Sequence, residues 1–373
     1  LKARLAIIEG DGVGPEVVRQ GVKALEAVAA RFNHQFEMQP VSIGFNAWRS
    51  TGSALSQEAI ELCRASDGIL LGATGPADHE YTRPDAPPGW GRRQLSRELG
   101  LCASVRPIRA YPQTAGVSPI RSERIEQADL VIVRDMTLVN RLGLHRSGQT
   151  PSGRFAEDTL AFDEPSIQKT LRFAFLLAQS RNARLCLATQ SSMYATSRLW
   201  LSIFTEIGAE FPGVSTEVQA PDNCAMQLIR NPSHFDVIVT ESTPMGGMLN
   251  NLAAMINGSI GMAPGTTIAL KEGTSYTAMV ERSGLYEPIH GSAPRRAGQD
   301  LVNPIGTVLA AAMLLRYSLS LEAEAVAVEH AVASALDGGY RTYDIMEPKK
   351  IRVGTEAMGD RIAAAIGAPV PAR

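Results

Sequence analysis

One short stretch of the chain has the residue types to handle a phosphate. Gly10-Asp11-Gly12-Val13-Gly14-Pro15 stands between a strand-like run, Arg4–Glu9, and a run in which Val18, Val22, Leu25, Ala29 and Phe32 recur at helical spacing. A glycine turn that opens a helix can present backbone N–H groups to an anion. The spacing here is GxGxG rather than GxGxxG, and no acidic residue follows at the distance that would serve a ribose. A strand-to-helix turn that simply needs glycine explains the stretch as well. Four cysteines, Cys63, Cys102, Cys186 and Cys224, form no CxxC pair. They suggest neither a zinc site nor a disulfide framework, and read as buried reduced thiols of a cytoplasmic protein.

The elements that must position such groups alternate. Phe36–Val41 and Gly68–Gly72 read as strands, and Ser56–Arg64 as a helix capped by Ser56. Leu130–Arg134, Arg184–Ala188 and Phe235–Thr240 are further strands, Ser166–Gln179 an amphipathic helix, and Val302–Leu319 an apolar helix with Pro304 in its first turn. Residues 77–93, rich in Pro, Gly and Arg, read as a mobile loop. Leu142–Glu164 reads as an arm or hairpin. Strands alternating with helices predict a largely parallel sheet. The 373 residues suggest two domains or lobes. A net charge of −2 gives no global electrostatic case for nucleic acid or an anionic membrane, and no apolar run reaches the roughly 20 residues of a membrane span.

Several segments taken in order are more specific. GDGVGPEV (10–17), ILLGATGP (69–76), RELGLCASVRPI (97–108), PDNCAMQLIRNPSHFDVIVTE (221–241) and LYEPIHGSAPRRAGQDLVNP (285–304) together resemble the β-decarboxylating dehydrogenases, which act on isopropylmalate, isocitrate, homoisocitrate or tartrate. The resemblance covers nearly the whole chain. It implies a two-lobed α/β subunit with a mostly parallel sheet that is not a Rossmann fold. It also implies a homodimer clasped through the arm at about 142–164, with active sites shared between subunits. The nucleotide lobe is expected at 1–101 plus 257–373, and the substrate and dimer lobe at 102–256.

The family reaction oxidises a 2-hydroxy acid with NAD(P) and releases the β-carboxylate as CO2. It needs cations for carboxylates, a divalent metal, an acid–base pair and a nucleotide pocket. By the resemblance, Arg106 and Arg134 are two of three carboxylate-binding arginines, and the third position is Ser96. Asp222 matches a metal-binding aspartate given by the second subunit. The other two metal positions are Gly247 and Asn251, so the divalent metal is not expected, one carboxylate being a poor cage. The family lysine becomes Gln190, which cannot shuttle a proton. The tyrosine position is Arg141, a poor general acid.

The nucleotide pocket is better kept. Thr74 and His290-Gly291-Ser292-Ala293 match cofactor-binding positions, and Asn303 follows at family spacing. Arg295-Arg296 stand where NAD-specific members carry an aspartate, and Tyr343 where NADP-using members bind the 2′-phosphate. NADP is therefore expected over NAD. Two readings stay open. One is an NAD(P)-linked oxidoreductase acting on a small carboxylate by altered or metal-independent chemistry. The other is an inactive nucleotide- or carboxylate-binding regulatory homologue.

Overall fold

The structure is a computed structural model that describes residues 1–75, 90–137, 145–241 and 245–368. In chain order its strands are β1 (Lys2–Gly10), β2 (Gln35–Pro40), β3 (Gly68–Ala73), β4 (Ala103–Arg109), β5 (Asp129–Asp135), β6 (His145–Thr150), β7 (Gly153–Asp158), β8 (Arg184–Ala188), β9 (Ser215–Gln219), β10 (Val237–Thr240), β11 (Pro264–Ile268), β12 (Leu285–Pro288) and the two-residue pair β13 (Tyr340–Arg341) and β14 (Ile351–Arg352). Ten of them form one sheet in the order β2-β1-β3-β12-β11-β4-β5-β10-β8-β9. Pairing is parallel at both ends of that order. It is antiparallel only where β12, β11, β4 and β5 meet. Strands from 1–101 and 257–373 thus fill one half of the sheet, and strands from 102–256 the other. This is an α/β fold with a large, mostly parallel sheet and helices packed on it. Its strand order is not that of a dinucleotide-binding Rossmann fold.

The reasons are local and familiar. β3 (GILLGA) is buried along its whole length, as a strand covered on both faces should be. The helix Ile305–Tyr317 buries every residue except Arg316 and packs on β11 and β12. It is therefore apolar all round. Ser56 caps the helix Gln57–Ala65 by accepting from the Ala59 N–H at 3.1 Å. β6 and β7 form a separate antiparallel hairpin within the expected arm.

Three boundaries differ from the sequence reading. Residues 90–93, assigned above to a loop, begin the helix Trp90–Glu98, and 76–89 lie outside the described residues. The helix expected from Val302 starts at Ile305, with Pro304 as its N-cap, because Asn303 Oδ1 accepts from the Ile305 N–H at 3.0 Å. The arm ends sooner than expected. Asp163 caps a helix that opens at Glu164 by accepting from the Ser166 N–H.

Candidate active site

Strand register builds the floor of the site. Glu287 on β12 stands opposite Gly265 on β11, and Thr266 stands opposite Val105 on β4. Arg106 is thereby laid across Gly265. A Cβ at 265 would fall 1.5 Å from Arg106 Nη1, so only glycine leaves room for that guanidinium. Arg134 comes from β5, next to β4. Its side chain passes the helix Met245–Ala254 at Gly246, where a Cβ would meet Arg134 Cδ at 2.7 Å.

A third guanidinium arrives from the helix Trp90–Glu98. Arg92 Nε donates to Glu287 Oε2 at 2.7 Å, its Nη2 donates to Glu287 Oε1, and Thr267 Oγ1 lies 3.4 Å from the same Nη2. Arg106 Nη2 reaches Glu287 Oε1 at 3.5 Å. Sequence reasoning placed the third family arginine at Ser96 and passed over Arg92. The two are four residues apart and share a helical face. Ser96 is buried with an unpartnered hydroxyl and does not line the cleft, whereas Arg92 does. Helical spacing was the signal available for finding Arg92, once 90–98 was known to be a helix.

These groups line a cleft of about 290 Å³ together with Thr74, Gly247, Asn250, Asn251, His290 and neighbouring backbone. Its electrostatics are unfinished. Burial pushes Arg106 down to about 10, and Arg134 falls to about 10 through burial and the neighbouring Arg106 and Arg92. Both stay charged at neutral pH. Burial works to raise the Glu287 carboxyl, but Arg92 and Arg106 outweigh it and hold it below its ordinary range. Arg106 Nη1, Arg134 Nε, Asn250 Oδ1 and His290 Nε2 are buried without partners. Buried polar groups are normally paired. A ligand with carboxylates for the two guanidinia, and a donor for the amide oxygen, would complete them.

The residues expected to meet a nucleotide lie on the 290–296 loop and around it. Val13 N donates to Ser292 O at 2.8 Å, and a Cβ at Gly12 would lie 2.0 Å from the same oxygen. Asp11, 2% exposed, accepts from the N–H groups of Phe45, Asn46 and Gly75. The glycine turn is thus at least a packing device that holds the 290–294 loop. Ala293 takes a left-handed φ of 37°, and Gly291 is exposed. His290 Nδ1 lies 2.9 Å from Gly291 O, which leaves Nε2 to face the cleft, and burial holds this ring below the ordinary histidine pKa. The Arg296 guanidinium sits 4.7 Å from the centre of the Tyr343 ring, and Arg295 beside it is exposed. Asn303 is 3% exposed and fully engaged, with its Nδ2 on Asp344 and its Oδ1 on Ile305 N, so it shapes the loop from beneath.

The remaining expected residues stand elsewhere. Ala188 and Gln219 are register partners at the ends of β8 and β9. Gln190 and Asp222 follow just after, at the sheet's far edge, and line no part of this cleft. Arg141 lies outside the described residues. Among the described residues, no three His, Cys, Asp or Glu side chains converge as metal ligands. Besides the lone His290 ring and the Thr74 hydroxyl, the cleft offers a divalent cation two neutral amides and three guanidinia, while Glu287 is committed to arginines. The described residues lining the cleft do not by themselves fit such an ion.

Fold and cleft together define an α/β protein with a large, mostly parallel sheet and an arginine-lined cleft. The sequence model of the isocitrate/isopropylmalate dehydrogenase family matches residues 4–362. The chain is 40% identical over 360 residues to a 3-isopropylmalate dehydrogenase of Moorella thermoacetica, covering 96% of this chain and 98% of that one. It is 40% identical over 370 residues to the enzyme of that name from Dehalococcoides mccartyi, covering 98% and 99%. The crystal structure of isocitrate dehydrogenase from Methylococcus capsulatus superposes with a TM-score of 0.81 at 27% identity, covering 98% of this chain and all of that one. A β-decarboxylating dehydrogenase from Thermococcus kodakarensis gives 0.75 at 29% identity, covering 98% and 96%. The chain belongs to the isocitrate/isopropylmalate dehydrogenase family, whose members are oxidoreductases that use NAD or NADP and a divalent metal.

Proposed function

We propose that this chain is an NADP-preferring oxidoreductase that acts on a small hydroxy dicarboxylate without a chelated metal. One observation carries the reading: Arg92, Arg106 and Arg134 converge on one polar cleft, and two of them keep unpartnered buried N–H groups. Paired N–H donors of a guanidinium match the two oxygens of a carboxylate. Arg106 and Arg134 hold the acid, and Asn250 accepts from its hydroxyl. Thr74 and the 290–293 loop hold the nucleotide, with Arg296 and Tyr343 at its 2′-phosphate. When bound, the nicotinamide supplies the hydride acceptor.

Two lobes divided near 101 and 257 would serve that reading. The active form is a homodimer in the cytoplasm. Asp222 and Gln190, at the sheet's far edge, would serve a cleft only across an interface. In the two lobes Cys63, Cys186 and Cys224 are buried and unbridged, which suits a reducing compartment. No helix among the described residues is long and apolar enough to cross a membrane.

A second reading, binding without turnover, is favoured by Gln190, whose carboxamide cannot move a proton at the family's lysine position. Fluorescence titration with NADPH, followed by NADP reduction in the presence of hydroxy dicarboxylates, separates the two. Nucleotide binding with measurable reduction supports the oxidoreductase. Binding with no reduction across the panel supports the second reading, and no binding of either ligand class overturns both.

A further inference from the structure

A second cavity, of about 1090 Å³, lies on the opposite face of the sheet from the arginine cleft. Side chains alternate across a strand. Arg106 and Arg134 line the arginine cleft, while Pro107, Arg109 and their register partners Val131 and Asp129 line this cavity. The helix Ile305–Tyr317 brings Leu309, Met313 and Tyr317 to it along one stripe, each four residues from the next. The helix Glu322–Asp337 forms another side with Glu322, Glu329, Ala333 and Asp337. The chemistry proposed above uses none of these residues.

Three features select a ligand. The first is charge. Among the described lining residues, five carboxylates stand against three guanidinia, a net charge of −2 with His330 neutral. Two of those guanidinia are already committed. Arg181 meets Asp129 and Asp236, each at 2.8 Å, and Arg316 meets Glu322 at 2.8 Å and Glu329 at 2.6 Å. The cavity therefore disfavours an anion and favours a cation. The second feature is a set of rings. Tyr111, Tyr276 and Tyr317 line the cavity, the last two edge to face with centres 6.0 Å apart. Tyrosine faces attract both aromatic groups and cations. The third is a pair of free acceptors. Gln113 Nε2 donates to Asp337 Oδ1 at 2.8 Å, which leaves Gln113 Oε1 buried without a partner. Asn257, 2% exposed, lines the same cavity and has a buried, unpartnered Oδ1. Buried acceptors are normally paired, and N–H groups of a ligand would pair these.

We propose that this cavity binds an aromatic ammonium ion. The ring lies against Tyr276, Tyr317 and Met313, and the N–H groups meet Gln113, Asn257 and Asp337. The site is separate from the arginine cleft and stands whether or not the function proposed above holds.

The test is calorimetry of the whole protein at pH 7 with tryptamine as the probe. Tryptophol and indole-3-propionate serve as its neutral and anionic counterparts. Tryptamine should bind at least tenfold more tightly than tryptophol, and indole-3-propionate more weakly still. Saturating tartrate should not displace tryptamine. Ala333→Arg, at a half-buried helix position that suits arginine, puts bulk and a cation into the cavity. It should weaken tryptamine binding at least tenfold. Asp337→Asn keeps an acceptor for Gln113 but removes a charge, and should narrow the preference over tryptophol by about threefold or more. Equal or tighter binding of either counterpart, displacement by tartrate, or a tryptamine affinity unmoved in whichever of the two variants folds overturns the proposal. Absence of tryptamine binding by the wild type at about 10 mM overturns it as well.

Discussion

Replacing Glu287 by glutamine removes the one carboxylate among the described residues that line the cleft and leaves Arg92, Arg106 and Arg134 to face one another. Glu287 and Arg106 have side chains only 8% and 10% exposed, and Arg92 only 17%, so water does little to replace the lost charge. Removing one partner of a buried ion pair costs about 3–5 kcal/mol, and the lower end suits a pair that borders a cleft. With an unfolding entropy of about 2.1 cal/mol/K per residue, a chain of 373 residues loses about 4 °C in Tm for about 3 kcal/mol. The same change strengthens the cleft's attraction for anions. A dicarboxylate that saturates both proteins should therefore raise the Tm of Glu287→Gln by more than that of the wild type. The assay is thermal unfolding at pH 7 with and without tartrate. A variant within 1 °C of wild type, or equal ligand-induced shifts in both proteins, would refute the argument that Glu287 balances the three arginines.

The other predictions follow from the nucleotide loop, the ionisation of the cleft and the missing proton carriers. NADPH should bind at least tenfold more tightly than NADH by fluorescence titration, since one well-formed charge-assisted contact contributes about 1.5–3 kcal/mol. Arg296→Asp should abolish that preference, and equal binding by the wild type would contradict it. Stability should fall in two stages on acidification. Burial depresses the His290 pKa from 6.5, so its contribution is full above pH 6.5 and is lost as the pH drops toward the lowered value. Glu287, held below 4.5 against burial by Arg92 and Arg106, contributes above that pH and is lost only in stronger acid. His290→Gln should remove the first stage, and a wild-type Tm that does not change between pH 7 and 5 would rule that stage out. Turnover of 3-isopropylmalate should be at least 10²-fold below an ordinary enzyme rate, because general acid–base help is worth about 10²–10⁴-fold and Gln190 cannot provide it. A rate near 1 s⁻¹, with added Mn2+ or without, would show that Gln190 is not the limiting group.

Much of the fold was legible because its signals were local. The helix Gly14–Phe32, the buried β3 and the Ser56 cap each follow from spacing and residue type within a few positions. The centre of the sheet was not. β11 begins Pro264-Gly265 and is five residues long, yet it is wholly buried, because β4 and β12 flank it rather than because its own sequence favours a strand. The helix Trp90–Glu98 was hidden by its polar, arginine-rich sequence and by the Pro and Gly residues before it. That omission concealed Arg92, since its place beside Glu287 depends on a helical face meeting a strand 195 residues away in sequence. Arg106, Arg134 and His290 were legible through motif context, and the structure brings all three into one cleft. Asn303 was legible as a position but not in its engagement, which depends on Asp344 from a distant turn.

The central claim is that the three arginines form a carboxylate site. The most direct measurement is a crystal structure of the protein with a four-carbon hydroxy dicarboxylate. One carboxylate should lie within hydrogen-bonding distance of Arg106 Nη1, and one should meet Arg134 Nε, the two donors now buried without partners. The ligand hydroxyl should lie beside Asn250 Oδ1. A dicarboxylate bound elsewhere, or a cleft that stays empty at saturating concentration, would contradict the account.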